Sequence, residues 1–399
     1  MSGNPWDPTA PMGPVGAKAP PPASPPAGAH WPTPRHPIPS TPSTPEPSTA
    51  TTPLRQRRRL AALALFLLAP LTMEMLTGAT PPMQFVSPST FITLAALFGS
   101  GALIIREVAR RHGLGWWSVL LLGAALGTLA GWPLVSGQLD PFWLGDAYAA
   151  GYSGALGVNW YWALGMAALC SVIGVALPIT LVEAAFPAVA PLPWLRGRWP
   201  LVALGALAGA AFIGLFALGF ADGSAPSYLL APAGALSILI VTAALVWLGS
   251  YSLGRLMRRS QGAQTIPPTV SQRHAPSLGA LRIAGFGFTA LFFVAFSRLP
   301  QITHRPLLGL AGLALTLAAP ALLVRRWSHG LDWSPRRRLA LLTGASLFFV
   351  ALAPLAEYAL RPAGRDQTGM TLIAVAALVG LIWLAHAARI AEERRLGQR

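Results

Sequence analysis

The sequence predicts an all-α fold, a polytopic bundle of about ten transmembrane helices with both termini on the cytoplasmic side. Three observations carry this. Hydrophobic residues make up 53% of the 399 residues and charged residues 11%, against roughly 25% charged in an average soluble domain. The apolar residues gather into runs of about 20, the length at which a helix crosses a hydrocarbon core. The basic residues fall in short clusters at alternate ends of those runs, as retention of arginine and lysine on the cytoplasmic side requires.

Residues 1–53 hold seventeen of the 39 prolines, mixed with Ala, Ser, Thr and Gly. Such a stretch buries too little apolar surface to offset the entropy of ordering, so a disordered, Pro-rich cytoplasmic tail is expected. Thr33, Thr41 and Thr44 each precede a proline. Arg55 to Arg59 then meets an apolar run beginning at Leu60, a pattern shared with signal peptides. Its place after a long tail argues for a retained first span.

Residues 54–399 form the expected transmembrane domain. Spans are predicted near 60–78, 89–108, 116–135, 160–185, 200–220, 232–255, 280–299, 306–324, 339–360 and 369–388. With the N-terminus inside, all but four of the 29 basic residues fall in the tail, the inner loops or the C-terminus. The exceptions are Arg298, Arg305, Arg361 and Arg365. Topology therefore accounts for the net charge of +16, and no nucleic-acid partner is expected, because no basic patch is interleaved with stacking aromatics. The inner arginine clusters are candidate contacts for anionic lipids of the bilayer. The single Cys170 excludes an intrachain disulfide. The near absence of lysine, with abundant Ala, Gly and Pro, suggests a GC-rich bacterial genome.

Most loops are short. Ser260 to Ser277, with Pro267 and Pro268, reads as a flexible inner linker, and Ser136 to Asn159 is the longest outer segment. In the outer segment, Asp140, Asp146 and Asn159 are candidate ligand contacts beneath an aromatic lid. Trp143, Tyr148, Tyr152, Trp160, Tyr161 and Trp162 are more simply read as an interfacial aromatic belt.

An ionisable side chain costs about 2.5–3.5 kcal/mol at the centre of a membrane helix on insertion scales, so each one inside a span is a functional candidate. Glu74 falls near the outer end of the first span, and Arg106 and Glu107 at the inner end of the second. Glu183 falls near the inner end of the fourth, and Glu357 near the outer end of the ninth. Each acid is read either as a structural ion-pair member or as a group that handles substrate or protons. Depth alone pairs Glu183 with Arg106, and Glu357 with Arg361 or Arg298. Pro70, Pro178 and Pro354 stand just upstream of Glu74, Glu183 and Glu357, where each frees a carbonyl one turn back, as in the broken helices of many transporters. Gly99-Ser100-Gly101 permits close approach of another helix.

Several chemistries leave no trace. There is no H-E-x-x-H, no G-x-S-x-G, no phosphate-binding G-x-x-x-x-G-K-[ST] and no Cys/His cluster at metal spacing. No cofactor or metal is expected.

The motifs G-x-G-A-L-x-x-R-E-x-x-R-R at Gly99–Arg111 and G-V-N-W-x-W at Gly157–Trp162, followed by ALPITLVEAAFP and PLPWL, resemble an uncharacterised family of multi-span membrane proteins common in actinobacteria. The resemblance covers about residues 60–195. It implies a shared membrane fold and no known activity. In that family the third span typically carries an acidic pair and the fourth a histidine, as in prenyl-endopeptidase-like intramembrane proteases. Here those stretches read LGTLAGW at 126–132 and ALCSVIG at 168–174, without acid or histidine, which argues against catalysis.

The leading expectation is a non-enzymatic, multi-pass protein of the cytoplasmic membrane, either a transporter-like carrier or a subunit that partners another membrane protein. The alternatives are an intramembrane hydrolase using Glu74, Glu183 or Glu357 as general base, and a passive scaffold that recruits partners through its tail.

Overall fold

The computed structural model describes residues 51–135, 154–156, 158–220, 232–252, 275–328, 333–358 and 368–396. The expected tail up to residue 50, Asp140, Asp146, Arg361 and the inner linker up to residue 274 lie outside the described residues. Among the described residues the chain is almost entirely helical. The exception is a two-stranded antiparallel ribbon, Gly154–Ala155 (β1) with Val158–Asn159 (β2).

Helices occupy all ten expected positions. They are α1 (Thr51–Pro70), α2 (Pro88–Arg111), α3 (Trp116–Val135), α4 (Trp160–Ala185), α5 (Trp199–Phe220), α6 (Pro232–Trp247), α7 (Leu278–Ile302), α8 (Pro306–Ser328), α9 (Pro335–Tyr358) and α10 (Met370–Leu396). Five of them, α2, α4, α7, α8 and α9, are long and apolar enough to cross a membrane, which marks the chain as a membrane protein by length and composition. Shorter apolar helices occupy Trp116–Ala130, Trp199–Ala210, Leu236–Ser250 and Met370–His386. Helix α1 differs from expectation at its start. It takes in the arginines of 55–59, which the sequence alone places before the span.

The core is organised around α4. Its apolar window is 89% buried, against 11% for α8, and its sequence WYWALGMAALCSVIGVALPITLVEAA presents apolar residues on every face, as a central helix must. At the periphery, Ile283, Leu307 and Leu372 stand exposed. Such apolar surface is costly in water and neutral in lipid.

Two close approaches set the packing. Gly285 on α7 and Gly344 on α9 face each other's helices, and a Cβ on either would strike the backbone carbonyl of Leu341 or Arg282. The second approach explains part of the Gly99-Ser100-Gly101 pattern. Pro70 has no N–H to offer the Phe66 carbonyl one turn back. That oxygen is the atom a side chain at Gly99 would meet, so α1 and α2 pack backbone to backbone there.

The prolines act unequally. After Pro70 the helix continues as a π-turn, Leu71–Met75, that carries Glu74. Another π-turn, Cys170–Ala176, leads into Pro178. Pro354 instead sits within the unbroken helical run of α9. The shared proline-before-acid spacing of Glu74, Glu183 and Glu357 therefore does not give them a shared local structure.

Candidate functional site

The end of the bundle where α2 finishes is built on one helical turn and a half. Along α2, Arg106 and Arg110 share one face and Glu107 and Arg111 another, since residues four apart lie one above the other. The first face meets Glu183 at the end of α4. Arg106 Nε donates to Glu183 Oε1 at 3.2 Å, and Arg110 donates to both carboxylate oxygens, through Nε at 3.0 Å and a terminal nitrogen at 2.5 Å. The pair expected from depth, Arg106 with Glu183, is present, with Arg110 as a third member.

The rest of the Arg106 guanidinium is taken up by the segment after α4, which reads FPAVAPLPWL. Ala190 and Leu192 lie in a turn and a bend after the helix, each followed by a proline that has no N–H to give, so their carbonyls have no helical partner. Arg106 donates to Ala190 O at 2.7 Å and to Leu192 O at 3.1 and 3.2 Å. The same guanidinium lies over the Trp194 ring, 3.3 Å from its centroid, and its side chain is only 2% exposed. A planar, permanently charged fork suits this mixed role in a way an ammonium does not. Trp194 is itself fixed by its indole N–H donating to Val189 O at 2.9 Å.

The second face of α2 secures the next residues. Glu107 accepts from Arg111 Nε at 2.7 Å and from the backbone N–H groups of Trp194 and Leu195 at 2.9 and 3.2 Å. Arg111 also donates to Leu195 O at 2.6 Å. The helix then stops at a left-handed Gly113, with Leu114 N–H reaching back to Ala109 O at 2.8 Å, a glycine C-cap.

This stapled segment forms one wall of a cavity of about 1250 Å3 between α1, α2 and α5. Arg55, Arg58, Arg59 and Arg196 line one part of it, and Leu63, Phe66, Leu103, Val202 and Ala203 another. Ser100 of the small-residue motif also lines it. No carboxylate is among the described residues that line it. The Nε of Arg58 is buried and has no acceptor among the described residues. The sequence reads the inner arginine clusters only as lipid contacts, and nothing in it foretells that α5 lines one cavity with them.

The other candidates disperse. Glu74 is 7% exposed and accepts from the Thr80 hydroxyl at 2.6 Å. Glu357 caps α10, accepting from the N–H groups of Gly369 and Thr371 at 3.1 and 2.7 Å. Arg298 donates to Gln301 at 2.9 Å. Asn159 is buried as the N-cap of α4, accepting from Trp162 N–H at 3.0 Å, which corrects its expected place as an open ligand contact. Two members of the expected aromatic belt, Tyr161 and Trp162, are corrected too, while Trp143, Tyr148 and Tyr152 lie outside the described residues. Tyr161 and Trp162 are buried against Phe296 of α7, with ring centroids 5.7 and 5.2 Å apart, and the Tyr161 hydroxyl donates to Ala295 O at 2.8 Å. These aromatics at the start of α4 pack inward because α7 offers them an aromatic partner.

No protein-family model matches the chain, and neither a curated protein nor a solved structure matches it.

Proposed function

We propose that the chain is a ten-span protein of a bacterial cytoplasmic membrane, with both termini inside, that works without catalysis as a transporter-like carrier of an amphipathic solute. The observation that carries this reading is the cavity of about 1250 Å3, cationic in one part and apolar in another. It exceeds the roughly 300–1,000 Å3 of a usual small-molecule pocket, and it lies among the arginine clusters that topology assigns to the cytoplasmic side. The ten-span count is supported by α3 and α5, whose 20 and 22 residues reach about 30 Å at 1.5 Å per residue, the thickness of a hydrocarbon core. The absence of catalysis is supported by the acids' bonds. Glu107 and Glu183 are held by arginines and Glu357 by backbone N–H groups, so none of the three is poised as a general base.

The test is a dithionite-protection assay in proteoliposomes with tail-labelled phospholipids of zwitterionic and anionic headgroup. At least one probe is expected to cross faster than in protein-free vesicles, and Ala203→Trp, which fills the chamber, is expected to abolish the gain. Crossing of every probe at the protein-free rate refutes carriage. For topology, cysteines introduced at Gly113, Arg196 and Arg325 into a Cys170→Ala background are expected to react only from the cytoplasmic side. Labelling from outside at any of them overturns the arrangement.

A further inference from the structure

We infer that the chamber between α1, α2 and α5 is a binding site for an anionic phospholipid of the inner leaflet, its phosphate held by Arg58 and Arg196 and an acyl chain lying along Leu63, Phe66 and Val202. The inference rests on the proposed carrier only in sharing its chamber, and it names the ligand class.

Four features point to this occupant. The lining carries four arginines and, among the described residues, no acid, so no described side chain of the lining compensates its positive charge. This differs from the neighbouring turn of α2, where each arginine facing inward has a carboxylate or carbonyl partner. Arg58 Nε is buried without an acceptor among the described residues, and a buried donor left unpaired is costly until an acceptor reaches it. The cations are all arginine, the side chain whose fork matches phosphate with two parallel hydrogen bonds. The apolar part is continuous with the exposed flank of α5, where Leu201 and Val202 are 70% and 50% exposed, so a chain can lie in the chamber while its remainder stays in the bilayer. A free, water-soluble phosphate ester uses only the first three features. Trp199, 61% exposed at the boundary, suits the headgroup level, where indoles concentrate.

The experiment is a thermal-shift and native mass-spectrometry titration of the full chain in detergent with phosphatidylglycerol, phosphatidylcholine and soluble glycerol 3-phosphate. Phosphatidylglycerol is expected to raise the melting temperature and to survive as a bound adduct, with phosphatidylcholine weaker. Glycerol 3-phosphate is expected to do neither, because it lacks the chain. Replacing Arg58 and Arg196 by glutamine is expected to weaken phosphatidylglycerol binding about ten-fold or more, the loss expected for charged hydrogen bonds. Arg58→Lys is expected to fall between. Ala203→Trp leaves the arginines in place and is expected to remove the adduct by occupying the chain's slot. Equal binding of the two lipids by the parent protein overturns the inference without needing any variant. Competition by glycerol 3-phosphate as effective as the lipid overturns the lipid source. Lipid binding without accelerated crossing refutes the carrier and leaves this site standing, whereas crossing without headgroup preference does the reverse.

Discussion

Replacing Arg106 by alanine tests whether the last turn and a half of α2 is what holds the segment after α4. The change removes a guanidinium whose side chain is 2% exposed. It leaves the carbonyls of Ala190 and Leu192 without their donors, and Glu183 without its Arg106 bond while Arg110 stays in place. A buried acceptor left unsatisfied costs about 1–3 kcal/mol, and breaking a buried charge pair about 3–5 kcal/mol. Arg110 retains part of the electrostatic attraction, so a net loss of about 3–5 kcal/mol is expected. At about 2–4 °C per kcal/mol for a domain of a few hundred residues, the melting temperature should fall on the order of 10 °C. The assay is thermal unfolding in detergent, followed by tryptophan fluorescence, with Arg110→Ala as the comparison. The Arg110 side chain is 34% exposed, and solvent screens such a pair to about 1 kcal/mol or less. A double-mutant cycle with Glu183→Gln should return a coupling to Arg106 larger than that to Arg110. The argument fails if Arg106→Ala melts within about 2 °C of the parent, or if Arg110→Ala costs as much.

The remaining predictions concern Glu74 and the α7–α9 contact. Glu74→Gln replaces a buried carboxyl group whose side-chain hydrogen bond, among the described residues, comes from the Thr80 hydroxyl, and the amide oxygen keeps that bond. Its melting temperature should stay or rise, whereas Glu183→Gln should lower it by several degrees. Equal losses in the two variants would make Glu74 another partnered structural acid. Gly344→Ala places a methyl against the Arg282 carbonyl and should destabilise by about 1–3 kcal/mol, the usual cost of overpacking. Gly287→Ala, where a Cβ meets open space, should be neutral or stabilising through helix propensity. If the two alanine variants melt alike, the backbone approach of α7 and α9 does not limit stability.

The helices were legible in the sequence because a span is a local property. Twenty apolar residues satisfy their backbone groups only as a helix in lipid, and Gly113 ends α2 by its own conformational freedom. The pairing of Glu183 with Arg106 was legible for a similar reason, since depth in the membrane leaves an acid at the inner level few partners. Helix neighbours and the facing of side chains belong to another level. Asn159, Tyr161 and Trp162 look like an interfacial group by composition, and only the arrival of Phe296 from α7, more than a hundred residues away, buries them. Gly285 and Gly344 are ordinary small residues in their own runs, and their role appears only where two helices meet.

The sequence by itself determined that this chain lies in a membrane as a set of helices, where those helices fall, and which few charged residues enter them. Hydropathy and charge act residue by residue against the solvent, so no tertiary information is needed to read them. Only the tertiary structure decided that α4 is the centre, that Glu107, Glu183 and Glu357 serve as fastenings, and that Arg58 and Arg196, far apart in the chain, face one chamber. Those outcomes depend on which helix surfaces pack together. In lipid, that choice is made by backbone approach and side-chain fit between distant segments, which no single stretch of sequence contains.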